Sequence, residues 1–139
     1  MSSGSSNDIR ERTFAFGCDV ARLALSFDLR PGVRSIVDQL LRAGTSVGAN
    51  LEEAKAASTR REFIRGAEIA LREAREALYW MRICEALNLG PAATVAQLKG
   101  EADQLVRILT AIVVSTKRRA AMMLIVSAFC ILTSALLMS

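Results

Sequence analysis

A chain of 139 residues, about half of them apolar, can bury one hydrophobic core but not two, and two prolines and seven aromatics amid abundant Ala, Leu, Arg and Glu favour helices over a β architecture. There is no histidine, and Cys18, Cys84 and Cys130 are widely spaced without a C-x-x-C pair. That pattern argues against a disulfide framework, a zinc site and a Cys/His nucleophile pair, and fits a reducing cytoplasm. The formal charge of +4 is unevenly placed: residues 1–90 carry 13 basic and 12 acidic side chains, whereas residues 91–119 supply the other three net charges.

The opening "MSSGSSND" reads as a flexible polar lead-in over residues 1–7, with no apolar stretch of the kind a secretory signal needs. A first helix is predicted from about Asp8 to Leu29. It carries two apolar stripes, Phe14, Cys18, Ala21 and Leu25 on one and Phe16, Val20, Leu23 and Phe27 on the other. A helix apolar on two sides implies contacts beyond its own bundle. Pro31 and Gly32 then break it.

The stretch "GTSVGANLEEA" at residues 44–54 poses the main architectural question, a loop or a thin helix. From Val33 onward, Ile36, Val37, Leu40, Leu41, Gly44, Val47, Gly48, Leu51 and Ala54 recur at steps of one and three, and the phase passes through both glycines unchanged. A loop would reset it. The spacing therefore predicts one helix to about Ala57, with Gly44 and Gly48 as helix-packing residues one turn apart on its buried face. Each costs roughly 1 kcal/mol relative to alanine, a cost that close approach of a neighbouring helix can offset. A turn at "VGAN" is the competing reading.

A third helix opens with a capping box, Thr59 as N-cap and Glu62 three residues on, and closes at "NLGP", where Gly90 suits a left-handed cap. Its core stripe is Phe63, Ala67, Ala70, Ala74, Leu78 and Met81. In a fourth helix Val95, Leu98, Ala102, Leu105, Leu109 and Ile112 alternate by three and four. Four amphipathic helices with short links close most naturally as an all-α, up-down-up-down four-helix bundle over residues 8–119.

The segment "AGTSVGANLEEAKAASTRREFIRGAEIALREAREALYWMRICEALNLG", followed by "LVRILTAIVVSTKR", closely resembles a bacterial four-helix-bundle family that includes proteins encoded within intervening sequences of large-subunit ribosomal RNA genes. It is also similar to the accessory variability protein of diversity-generating retroelements. The resemblance covers about Asp8 to Arg119. It implies a homopentamer of bundles with a basic surface or channel and, for the retroelement members, partners that are RNA or DNA and a reverse transcriptase. Fold kinship alone does not carry function.

On the third helix, Arg61, Arg65, Arg72, Arg75 and Arg82 fall in one sector opposite the core stripe, with Glu68 the one acid among them. Together with Lys117, Arg118 and Arg119 they are the candidate nucleic-acid-binding residues, since arginines at helical spacing can engage successive phosphates without reading sequence. A solvated face with local pairs such as Glu68 to Arg72 is the alternative. Ile69, Trp80, Ile83 and Leu87 on the flank, taken with the second stripe of the first helix, are the candidate oligomer interface; the alternative is that Tyr79 and Trp80 complete the monomer core. Phe14, Phe16, Phe27 and Phe63 all sit on core stripes, leaving no stacking platform for bases.

Without histidine, an inward di-iron carboxylate cluster of the Glu-x-x-His type is excluded, and no phosphate-binding loop or nucleophile elbow occurs. The reading is of a non-enzyme without cofactor or metal. Beyond Arg119, residues 120–139 form an apolar segment, charge-free and broken only by Ser127, Thr133 and Ser134 before the final serine. As a helix, residues 120–138 extend about 28 Å, close to a bilayer's hydrocarbon thickness. Lys117, Arg118 and Arg119 before it would hold the bundle on the cytoplasmic side of the inner membrane as a tail anchor; the alternatives are an extension of the fourth helix buried in an oligomer, or a family-atypical extension left by a shifted reading frame. Two functions follow: an oligomeric adaptor binding nucleic acid, or a membrane-tethered oligomeric scaffold with no nucleic-acid role.

Overall fold

Four helices account for nearly all of residues 8–138, the part of the chain that this computed structural model describes: α1 (Ile9–Leu25), α2 (Val33–Ala56), α3 (Arg60–Ala86) and α4 (Ala92–Leu137). The polar lead-in over residues 1–7 lies outside the described residues, as does Ser139. Consecutive helices pack against each other and run antiparallel, while α1 and α4 meet more sparsely. The bundle is all-α and up-down-up-down. Its core is built from Phe16, Val20 and Leu23 of α1, Leu40, Val47 and Leu51 of α2, Ala67, Ala70, Ala74, Ala77 and Met81 of α3, and Leu98, Leu105 and Leu109 of α4.

The helix ends follow local chemistry. Asp8 caps α1, its carboxylate accepting from the Arg10 backbone N–H at 3.1 Å. The capping box of α3 is formed: the Glu62 backbone N–H donates to Thr59 Oγ1 and the Thr59 N–H to Glu62 Oε2, both at 3.2 Å. The end of α3 differs from the sequence reading. Asn88, not Gly90, is the first residue to turn left-handed (φ 53°), and the Leu89 N–H reaches the Cys84 carbonyl at 2.8 Å while the Asn88 N–H reaches that of Glu85 at 3.2 Å. That is a Schellman closure, which asparagine can host because its short side chain tolerates the left-handed region. Gly90 is also left-handed, and Phe27 lies so close that a Cβ there would stand 3.0 Å from its ring.

Phe27 explains why α1 stops at Leu25 and not near Leu29: beyond Ser26 the chain turns to lay this ring against the core. The two stripes of α1 are resolved as well. Phe16, Val20 and Leu23 are buried, whereas Phe14 is 66% exposed and Leu25 87% exposed. Phe14 is therefore not a core residue. One helix can turn only one stripe into the bundle, and the rotation of α1 is fixed by its contact with the glycines of α2.

Those glycines settle the question at residues 44–54, since α2 runs unbroken through both. A Cβ on Gly44 would stand 2.7 Å from Val20 Cγ1, and one on Gly48 would stand 3.3 Å from the Thr13 backbone. The missing side chains let α1 lie directly on α2. A third close approach was not legible beforehand: a Cβ on Gly66 of α3 would stand 2.7 Å from the Cβ of Ala54.

In α3, Leu71, Ala77 and Cys84 join the buried set while Phe63 and Leu78 are half-buried. In α4, Val113 and not Ile112 is the last buried residue. The apolar segment is not a separate helix. It continues α4 without a break through Lys117, Arg118 and Arg119.

Candidate polyanion-binding face

The outward sector of α3 exposes Arg61, Arg65, Arg72, Arg75 and Arg82, and among the described residues none of the five forms an ion pair. The acid in their midst, Glu68, does not take Arg72 one turn on. It takes Lys117 of α4. This crossed pair neutralises the one carboxylate of the sector and joins Lys117 to the arginine stripe. Arg118 and Arg119 are exposed and, among the described residues, also outside any ion pair.

The acidic flank of α3 serves the fold instead. Glu73, 10% exposed at its side chain, accepts from Arg42 Nη1 of α2 at 3.2 Å, and Glu76 is paired with the other arm of the same guanidinium. Arg42, helped by the Trp80 indole N–H, holds the Glu76 carboxyl below its ordinary range against the opposing effect of partial burial. A second guanidinium closes the sparse side of the bundle: Arg12 of α1 donates from Nε and Nη2 to Glu101 of α4 at 2.6 and 2.9 Å. Neither clasp was singled out from sequence, because pairing across helices depends on rotation and register that periodicity does not give.

Of the residues considered for an oligomer interface, Trp80 is half-buried, packs against the core and donates Nε1–H to Glu76 at 3.4 Å. Ile69 and Ile83 are half-buried, and Leu87 is 57% exposed at the end of α3. A different apolar surface lies along α1 and α2, a groove of about 360 Å³ lined by Phe14, Gly17, Cys18, Ala21 and Gly48. The sequence signal for it was the first stripe of α1, Phe14, Cys18 and Ala21; the second stripe, expected to join a neighbouring subunit, lies in the core of the bundle instead, with Phe16, Val20 and Leu23 buried and Phe27 packed against them.

Past Val113 no described residue of α4 is buried, although Lys117 and Met123 still meet Glu68 and Arg60 of α3. The apolar side chains of α4 from Met122 to Met138 are between 57% and 91% exposed, and the most apolar window has a mean hydropathy of 2.4 with none of it buried. The Thr133 hydroxyl donates back to the Phe129 and Cys130 carbonyls at 3.1 and 3.0 Å, which satisfies that polar group within the helix itself.

Comparison with known proteins fits this geometry. Residues 5–111 match the family described as 23S rRNA-intervening sequence protein. The chain belongs to that family. Among solved structures, a 1.70 Å crystal structure of a protein of unknown function from the S23 ribosomal protein family of Bacteroides thetaiotaomicron VPI-5482 is similar, with 26% identity and a TM-score of 0.68. The similarity covers 76% of this chain and 97% of that one. No curated protein matches. The family match ends at residue 111, so Lys117, Arg118, Arg119 and the apolar continuation of α4 lie beyond it.

Proposed function

We propose that this family member is a non-enzymatic helical bundle tethered to a membrane, with residues 120–138 as the spanning segment and the bundle on the cytoplasmic side. The observation that carries this reading is the second half of α4, charge-free from Ala120 to Met138 and unburied throughout. Each large apolar side chain left in water forgoes about 1.5–3 kcal/mol of burial, a cost that a hydrocarbon interior removes. Within a continuous helix the backbone groups are satisfied internally up to the last turn, as a span requires. Lys117, Arg118 and Arg119 stand where the positive-inside preference puts them. The test is fractionation: full-length protein should enter the membrane fraction and resist alkaline carbonate, while a chain ending at Arg119 should not. Monodisperse full-length protein in detergent-free buffer would count against the anchor.

Self-association belongs to the same proposal. The groove along α1 and α2 with exposed Phe14, and the flank of Ile69, Ile83 and Leu87, are surfaces through which copies could join, and the family resemblance suggests five.

A second reading is favoured by the arginines of α3, exposed and outside ion pairs among the described residues. In it the bundle binds RNA or DNA along its backbone and, as in retroelement relatives, works beside a reverse transcriptase. Replacing Arg65, Arg72 and Arg75 together by glutamine should then weaken binding for all sequences and flatten its salt dependence by about one unit of log slope per lost phosphate contact. Unaltered binding would move the contact to Lys117, Arg118 and Arg119.

A further inference from the structure

Where α4 emerges from the bundle, a groove of about 740 Å³ lies between the first turns of α3 and the start of the apolar segment. Its two walls differ in chemistry. The α3 wall presents Arg60, Arg61 and Arg65 around Ile64, and the α4 wall presents Ala120, Met123 and Leu124 with Ser127 at its far end. The one acid lining it, Glu68, is already engaged by Lys117. We propose that this groove binds an anionic phospholipid, its phosphate headgroup held by Arg60, Arg61 and Arg65 and the upper part of its acyl chains lying against Met123 and Leu124.

This rests on the membrane reading above and deepens it. Because α3 and α4 are antiparallel, the Lys117 contact with Glu68 and the Arg60 contact with Met123 fix their relative height. The first turns of α3 run about 5 Å past the start of the apolar segment, so their guanidiniums lie beside its first turn and reach the headgroup phosphates by extending their side chains back toward Arg119. Arg60 has its Nη1 at 3.1 Å from Met123 Sδ, a weak acceptor, so most of its donor capacity is uncommitted. At the backbone end of α3 the capping box engages the N–H groups of Glu62 and Thr59. The donors are side chains, and planar guanidiniums suit a phosphate diester.

A cationic wall facing an apolar wall matches an amphiphile better than a nucleic acid. A single strand held by its bases would use aromatic faces, and no aromatic residue lines the groove. It would also gain nothing from Met123 and Leu124. An acidic lipid uses both walls and sits where a span meets the headgroup layer.

The experiment reconstitutes the full-length protein into vesicles of pure phosphatidylcholine and into vesicles that also contain phosphatidylglycerol. After mild detergent extraction, native mass spectrometry measures which lipid is retained. Phosphatidylglycerol should be enriched on the wild type relative to its share of the vesicle. Each arginine lost should reduce that preference roughly fivefold, so R60Q/R61Q/R65Q should lose nearly all of it. R72Q/R75Q/R82Q, higher on the same stripe, should retain it, with helicity equal in both variants. Equal retention of the two lipids would overturn the proposal. So would an unaffected first variant, an equal loss in the second, or release of the lipid to single-stranded RNA. Insertion is scored separately by carbonate resistance in phosphatidylcholine vesicles. Protein that inserts without enriching phosphatidylglycerol sinks the headgroup site alone, and protein that does not insert sinks both readings.

Discussion

The glycines of this protein have opposite values at different positions. Gly66 lies where a Cβ would stand 2.7 Å from the Ala54 Cβ and 3.0 Å from its Cα, so the obstacle includes backbone that cannot rotate away. Gly66→Ala should therefore lower the thermal midpoint, with overpacking of about 1–3 kcal/mol exceeding the roughly 1 kcal/mol gained in helix propensity. Gly100 faces open space on α4, so Gly100→Ala should raise the midpoint through the propensity gain alone, a stabilisation of about 1 kcal/mol. Circular dichroism on matched detergent preparations checks both. The Arg42 clasp adds a pH dependence. The Glu76 carboxyl is depressed chiefly by its hydrogen bond from Arg42, so its stabilisation is present above the pKa of an unfolded glutamate and is lost as pH falls through the folded value. Glu76→Gln should cost about 0.5–1 kcal/mol at neutral pH, with the gap to wild type closing in acid. A constant gap from neutral to strongly acidic pH would show that the carboxylate charge does not matter. Burial pushes the Cys84 thiol up, so it should resist thiol reagents in the folded protein at neutral pH and react only on denaturation.

At the scale of elements, periodicity is a strong guide where burial is one-sided. The unbroken phase through Gly44 and Gly48 gave α2, and Thr59 with Glu62 gave the start of α3 within a residue. It is weak where two answers share a pattern. Both stripes of α1 look buried in sequence, and only contact with α2 decides that Phe16 goes in and Phe14 stays out. The end of α3 was misplaced because Asn88 can take a left-handed turn that glycine advertises more openly. The arginine stripe was legible, but the partner of Glu68 was not, since Arg72 is near in sequence and Lys117 near only in space. The continuity of α4 makes its own prediction. With no buried residue after Val113, a chain ending at Arg119 should keep the bundle's helicity and unfold within a few degrees of the full-length protein. A collapse of helicity on truncation would mean that the apolar segment supports the bundle.

The whole molecule divides into a charged bundle that satisfies its own core and a helical extension that satisfies nothing in water. The family to which the chain belongs accounts for the bundle, and its match ends before the basic cluster and the extension begin. The two parts are joined by one continuous helix, so the position the extension takes bears directly on the arginine face of α3 packed beside it. Tethering would hold those arginines near a surface rich in phosphate and raise their local encounter with acidic partners. The most direct measurement of the central claim uses Cys130, which lies at the middle of the apolar segment. In a Cys18→Ala background, full-length protein in phosphatidylcholine vesicles is treated with a membrane-impermeant maleimide and compared with the same chain carrying Arg119→Cys. The account predicts that a cysteine at position 119 is labelled while Cys130 is protected until the sample is denatured in detergent. Labelling of Cys130 in intact vesicles as fast as that of the cysteine at position 119 would contradict it.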